Sequence, residues 1–208
     1  PVDDAAVRAQ LEPIADQYAR LFVLYYGERE SDPTSRFERW LAENIYLADM
    51  QWVGNIRLAT YASHPPTVTV ALSATFGTGL RLESVAFDGG DRLAGDVVPL
   101  RLQWRADVKP ASRYKVFVHI GAADAPPVAQ NDAEPLAGFH PTDSWNAGEV
   151  VVDRRAVWLK PGVATGRYGV YIGVYDALTG RRLPVSTPDG TVAGDRFLAG
   201  EINIVAGR

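Results

Sequence analysis

The residues best suited to hold a ligand lie in one short run, Gly169-Val170-Tyr171-Ile172-Gly173-Val174-Tyr175. Alternate side chains of an extended strand share a face. Tyr168, Val170, Ile172 and Val174 therefore go to a core, and Tyr171 and Tyr175 to the opposite side. Gly169 and Gly173 alternate with the two rings, and large rings beside empty positions make a shallow aromatic shelf on which the apolar face of a sugar can lie. If the run Tyr114–Ile120 is the adjacent strand, Phe117 and His119 extend that shelf. Trp145, within Thr142-Asp143-Ser144-Trp145-Asn146-Ala147-Gly148, is a further candidate ring. The competing reading is packing: rings filling the space over glycines, a face covered by the N-terminal segment, and Trp145 plugging one end of a sandwich.

The acidic residues carry less. Gln130, Asn131 and Asp132 cluster oxygens, and Asp153 or Asp176 joins them if the fold brings the segments together. Asp132 and Asp153 are thus the nearest approach to a hard-cation site, but Ca²⁺ needs six or more oxygens and no EF-hand spacing occurs. A turn in which Asn and Asp bond nearby backbone amides is the favoured reading, and no metal or other cofactor is assigned. Glu149 and Asp153 resemble a glycosidase pair only in composition. On one strand they stand about 13 Å apart, beyond the usual carboxyl separation. There is no Gly-x-Ser-x-Gly elbow, Walker loop or dinucleotide fingerprint. Arg181-Arg182, after Thr179-Gly180, reads as a solvated hairpin start.

Composition narrows the classes further. The chain of 208 residues is 47% hydrophobic and 22% charged, an ordinary globular balance. Its formal charge of −4 sits in residues 1–64, which hold 6 basic against 10 acidic residues; the remainder holds 15 of each. Neither part has the basic excess that a phosphate backbone demands, so nucleic acid is not an expected partner. With no cysteine, disulfides and thiolate chemistry are excluded, and three histidines argue against a His-rich metal centre. No apolar run is long enough to cross a bilayer. A chain starting at Pro1 is expected to be an excised piece of a longer protein.

These residues need elements to position them. Asp3 is placed to cap a helix reaching about Tyr18, which Pro13 should kink or shorten. Leu21–Tyr26 is a continuous apolar run, expected as a strand buried on both faces. Asp32-Pro33 supplies an N-cap and first-turn proline for a helix with Phe37, Trp40, Leu41, Ile45 and Ala48 on one side. Ile56–Tyr61 is the next strand, and a crossover of that length favours a parallel pair. Ser63-His64-Pro65-Pro66 marks the boundary between a small α/β (β-α-β) segment, residues 1–64, and an antiparallel sandwich, residues 67–208. Beyond it the period becomes two. Val98, Leu100, Leu102 and Trp104 share a face, as do Val116, Val118 and Ile120, and Val150–Leu159, Arg167–Asp176 and Phe197–Val205 add strands. The expected fold is mainly β: a jelly-roll or Ig-like sandwich of roughly eight strands.

A longer pattern runs through the same region. Gly95-Asp96 precedes Leu100-x-Leu102-x-Trp104-Arg105-Ala106, then Tyr114-x-Val116-Phe117-Val118-His119, Val128-Ala129-Gln130-x-Asp132-x-x-Pro135 and Gly138. Pro141-Thr142-x-x-Trp145-x-x-Gly148-Glu149-Val150, Asp153, Gly166-x-Tyr168, Gly173-x-Tyr175-Asp176, Thr179-Gly180-x-Arg182-Leu183 and a final strand near Glu201 complete it. Over about residues 76–206 this resembles the extracytoplasmic C-terminal β-sandwich of multi-spanning, protein-mannosyltransferase-like glycosyltransferases of Chloroflexus-type bacteria. Arg20-Leu21-Phe22-Val23, Trp40-Leu41 and Trp52-x-Gly54-x-x-Arg57-Leu58 are similar to the α/β segment that precedes that sandwich. The resemblance implies a catalytic centre in membrane loops that these residues do not include, so no catalytic residue carries over.

The expected function is a non-catalytic, membrane-tethered extracytoplasmic module that positions glycan, lipid-linked sugar or acceptor, with the membrane domain of the same chain as partner. One alternative is a structural module that uses the Tyr171/Tyr175 face as a protein interface. The other is a free-standing hydrolase acting through Glu149.

Overall fold

The two-residue period beyond Pro66 appears in the computed structural model as burial, residue by residue. The structure describes residues 3–27 and 32–206. In chain order its elements begin with α1 (Asp4–Gln17), β1 (Arg20–Tyr25), α2 (Arg36–Asn44), β2 (Tyr46–Val53) and β3 (Ile56–Ala62). There follow β4 (Thr69–Phe76), β5 (Leu80–Ala86), β6 (Gly90–Leu93), β7 (Val97–Ala106), β8 (Tyr114–Gly121) and β9 (Ala129–Ala133). The last are β10 (Val150–Trp158), β11 (Gly166–Asp176), β12 (Val185–Ser186), β13 (Val192–Gly194) and β14 (Phe197–Val205).

The strands form two sheets, one in the order β1-β3-β2-β10-β7-β5-β4-β12-β13 and one in the order β6-β14-β11-β8-β9. All pairings are antiparallel except β2 with β10 and β6 with β14. Along β7, Val98, Leu100, Leu102, Trp104 and Ala106 are buried in strict alternation. They meet Val116, Val118 and Ile120 of β8 and Val170, Ile172 and Val174 of β11 in one core, with the Phe76 ring edge-on to Trp104 at 5.4 Å. The sandwich is as expected. β4, β5, β6, β9, β12 and β13, which the two-residue period does not mark, belong to it too, and β6 departs from the antiparallel expectation by running parallel to β14.

The N-terminal segment departs from expectation in five ways. β1 is an edge strand with one face covered, not a strand buried on both: its pattern alternates, and Phe22 and Leu24 are exposed. β1 and β3 are antiparallel neighbours rather than a parallel pair. The apolar run credited to one helix is divided. α2 stops at Asn44, and Ile45 and Ala48 belong to the turn and strand that follow, where β2 forms a hairpin with β3 around Gly54, whose φ of 62° suits glycine. The N-cap of α2 is Ser35, not Asp32, although the Asp32 carboxylate still accepts from Phe37 N–H at 2.9 Å. Asp3 caps α1 as expected, accepting from Ala6 N–H at 2.8 Å. Pro13 does not shorten that helix, which runs to Gln17.

Both helices lie on one side of the β1-β3-β2 ribbon, closing a small core of Tyr25, Leu41, Ile45, Ala59 and Tyr61. The Tyr25 and Tyr61 hydroxyls bond each other at 2.9 Å within it. Burial pushes the Tyr61 phenol up to about 12 and raises that of Tyr25 as well. Ser63-His64-Pro65-Pro66 links β3 to β4, and the nine-stranded sheet runs across that join. β2 lies against β10 there, with Leu47 in register with Arg155.

Candidate functional site

The outward face of the five-stranded sheet gathers the predicted rings. β11 pairs with β8 so that Tyr171 stands opposite His119, and Gly173 opposite Phe117. A Cβ at Gly173 would collide with the Phe117 ring, and one at Gly169 would come within 2.7 Å of the Tyr171 ring. The glycines thus let both rings lie flat on the sheet. Phe117 stacks against His119 at 4.4 Å and Tyr175 at 6.4 Å.

Two guanidiniums lie on this layer, Arg182 at 4.7 Å over Phe117 and Arg196 at 4.3 Å over Tyr171. Arg182 also pairs with Asp195 at 3.0 Å, so it is not the simple solvated residue its Arg-Arg context implied. Phe117 is fully buried and His119 nearly so, while Tyr171 and Tyr175 are half-buried. Burial, then the Asp132 carboxylate, hold the Tyr175 phenol above its usual range, so it keeps its O–H donor at neutral pH.

A polar groove of about 830 Å³ runs beside this layer, between β9 and the β2–β3 hairpin. Gln130, Asn131 and Asp132 lie on strand β9, not in the expected turn. Asp132 Oδ1 accepts from the His119 Nε2–H at 3.1 Å and also lines the groove, joining it to the aromatic layer. Asn131 donates to the Leu47 carbonyl at 3.1 Å and the Ala48 carbonyl at 3.4 Å, tying the hairpin to the sandwich. Opposite stand Glu38, which grips Arg57 through two bonds of 2.9 and 3.0 Å, and Asp49, 3.8 Å from Lys160. Lys115 contributes an ammonium from β8. The groove therefore offers carboxylates, amides and cations side by side and suits a neutral ligand rich in hydroxyls better than one of a single charge sign.

Other sequence candidates are committed elsewhere. Trp145 is buried, and its indole N–H donates to the His140 carbonyl at 3.0 Å, the geometry of a loop anchor. Asp153 is not available as a cation ligand: it is buried against Arg155, whose Nε donates at 2.9 Å, and it accepts from Leu136 N–H at 3.0 Å. Asp176 accepts from the Thr179 N–H at 2.8 Å and closes its own turn. No group of three or more His, Asp or Glu capable of holding a metal occurs among the described residues.

Glu149 bonds His140 at 2.7 Å and Asn146 N–H at 2.8 Å. The Asn146 N–H, followed by His140, holds its carboxyl below the usual carboxylate range, the opposite of what a general acid requires. Glu149 and Asp153 thus serve separate structural partners. The groove itself escaped sequence reasoning. Residues 130–132 were visible as a cluster of oxygens, but nothing local indicated that Leu47–Met50 would face them.

No family model matches the sequence, and no curated protein matches it. Among solved structures, the chain is similar to the C-terminal domain of wzt, with a TM-score of 0.43 at 8% identity over 70% of this chain and 84% of that one. That likeness is too remote to carry a functional argument.

Proposed function

We propose that this chain is a non-catalytic recognition module for a glycan or a glycan-bearing acceptor, held outside the cytoplasm by a membrane glycosyltransferase-like protein. The observation that carries the binding part is the continuity of the aromatic layer with the polar groove through Asp132. A pyranose presents an apolar C–H face and a rim of hydroxyls. Tyr175 supplies a ring for the first, and Gln130, Asp132 and Lys115 supply partners for the second. The volume of the groove falls within the range of pockets that enclose small organic ligands. The association with a membrane parent rests on the sequence pattern alone.

Calorimetric titration with a panel of oligosaccharides tests the binding part. At least one glycan should bind, with an affinity reduced roughly tenfold or more by Tyr175→Ala and by Asp132→Ala. A panel that binds nowhere, or binds these variants as tightly as the parent chain, rejects the site. The parentage is tested by the gene's reading frame, which should encode ten or more apolar segments upstream of Pro1.

One observation favours a second reading. Arg182 and Arg196 already occupy the ring faces of Phe117 and Tyr171, as they would in a surface built for packing or for a protein partner. Under that reading, Tyr171→Ser with Tyr175→Ser changes association of the assembled protein, and no sugar binds.

A further inference from the structure

The edge of the nine-stranded sheet formed by β1, with Tyr26 just past its end, carries a row of exposed apolar side chains. Phe22, Leu24 and Tyr26 are 63%, 67% and 70% exposed. We infer that this edge pairs with β1 of a second copy, antiparallel across a two-fold axis, so that two nine-stranded sheets join into one.

The backbone allows it. Ser63 N–H donates to the Ala19 carbonyl at 3.2 Å, one step beyond the Arg20–Ala62 pair of the β1–β3 ladder. In an antiparallel ladder the hydrogen-bonded positions alternate, so the odd-numbered residues of β1 direct their backbone groups to β3. Arg20, Phe22 and Leu24 therefore turn theirs toward the free edge. The devices that block edge pairing are missing: β1 has no proline, its register with β3 has no bulge, and its one charged residue is Arg20 at the first position.

The side chains select one register. With Val23 of the two copies facing each other on the axis, Phe22 lies opposite Leu24 of the second copy, twice over, and Arg20 opposite Tyr26. Arg20 is exposed and outside every ion pair of the described residues, so its cation meets an exposed phenol ring rather than another cation. At roughly 200 Å² per side chain, the exposed parts of Phe22, Leu24 and Tyr26 amount to about 400 Å² per copy. Two copies offer at most about 800 Å² from these side chains, whose facing flanks the continued sheet covers, and the paired edge backbone adds to it, against the order of 1,000 Å² that a specific interface needs. A symmetric pair requires self-complementarity, and this register supplies it.

The 208-residue chain has no cysteine, which makes the test clean. Val23→Cys places two thiols at a directly opposed pair, where Cβ atoms stand about 5 Å apart, so mild oxidation should yield a covalent dimer. Gln51→Cys, exposed on β2 away from the edge, should not. Sedimentation equilibrium should show reversible dimers. Phe22→Lys with Leu24→Lys, both at exposed positions, should weaken them at least ~30-fold with an unchanged circular dichroism spectrum. A chain that stays monomeric at several hundred micromolar and forms no Val23→Cys dimer overturns the inference. So does a dimer indifferent to the double lysine variant, or a monomer that instead floats with phosphatidylcholine vesicles, which would assign the apolar edge to lipid.

Discussion

The sandwich and the N-terminal ribbon are parts of one sheet system but satisfy their apolar residues in different ways. In the sandwich, β7, β8 and β11 bury every second side chain between two sheets, and the outward rings of β8 and β11 lie flat over glycines under arginines. In the ribbon, one face is covered by α1 and α2, while Phe22, Leu24, Trp52 and Val53 stay in solvent. The two regions meet where β2 lies against β10 and where Asn131 bonds the carbonyls of Leu47 and Ala48. The sandwich holds the larger buried cluster and the ribbon a smaller one with an uncovered side, and the contrast predicts that the ribbon opens as a separate, less stable unit.

That contrast can be broken first at the buried ion pair. Arg155→Met leaves the Asp153 carboxylate buried without its partner and removes the donor to the Val116 carbonyl. A loss of about 3–5 kcal/mol in denaturant unfolding is expected, the penalty for uncovering one half of a buried pair. A loss below ~1 kcal/mol would show that the interior there is already wet.

The next effect is Gly173→Ala, which forces the Phe117 ring off the sheet and should cost about 1–3 kcal/mol. Arg182 should lose its seat at the same time, visible as changed proton shifts of residue 182. If the ring simply tilts at no cost, the close fit of ring over glycine is not what holds this face.

Tyr61→Phe sharpens the comparison from the other side. It removes the buried bond to Tyr25 and should cost about 1 kcal/mol. The loss should appear as faster amide exchange confined to α1, α2 and β1–β3, with the slowest amides of β7 and β11 unchanged. Equal acceleration throughout would mean that the ribbon and the sandwich unfold as one.

The smallest effect is in acid. The Glu149 carboxyl is held low by Asn146 N–H and His140, and Asp88 is held low because hydrogen bonds from Thr67 and Val68 outweigh the burial that raises it. Groups with lowered folded pKa values stabilise fully above their unfolded values near 4, and that contribution disappears as pH falls through the lower folded values. Glu149→Gln should therefore flatten the decline in stability below about pH 4, and leave its slope near pH 7 unchanged.

Where the pattern had period two and ran long enough, the sequence disclosed the fold. Val98 to Ala106 and Tyr168 to Val174 could be assigned to their faces by counting. It misled where short apolar runs allowed two readings. Leu21–Tyr26 looks like a doubly buried strand because nothing local reveals that Phe22 and Leu24 lack a covering layer. Ile45 and Ala48 match helical spacing by coincidence, since the chain leaves the helix at Asn44.

For the site, alternation put Tyr171 and Tyr175 on one face of their strand and Phe117 and His119 on one face of theirs, and the structure supplies the pairing of β8 with β11 that joins them. The groove was not, because it depends on a contact between residues 47–50 and 130–132 that no local periodicity encodes. Trp145 and Asp153 show a further limit. Residue type marks both as candidates, and only the fold reveals that the indole faces a carbonyl and the carboxylate a guanidinium.

The most direct test of the account is amide and side-chain shift mapping of the labelled chain during titration with an oligosaccharide panel. Saturable shifts should group on His119, Gln130, Asp132, Tyr171 and Tyr175, with the β1 edge silent. Saturable shifts confined to the β1–β3 ribbon, or no shifts with any glycan at millimolar concentration, would contradict it.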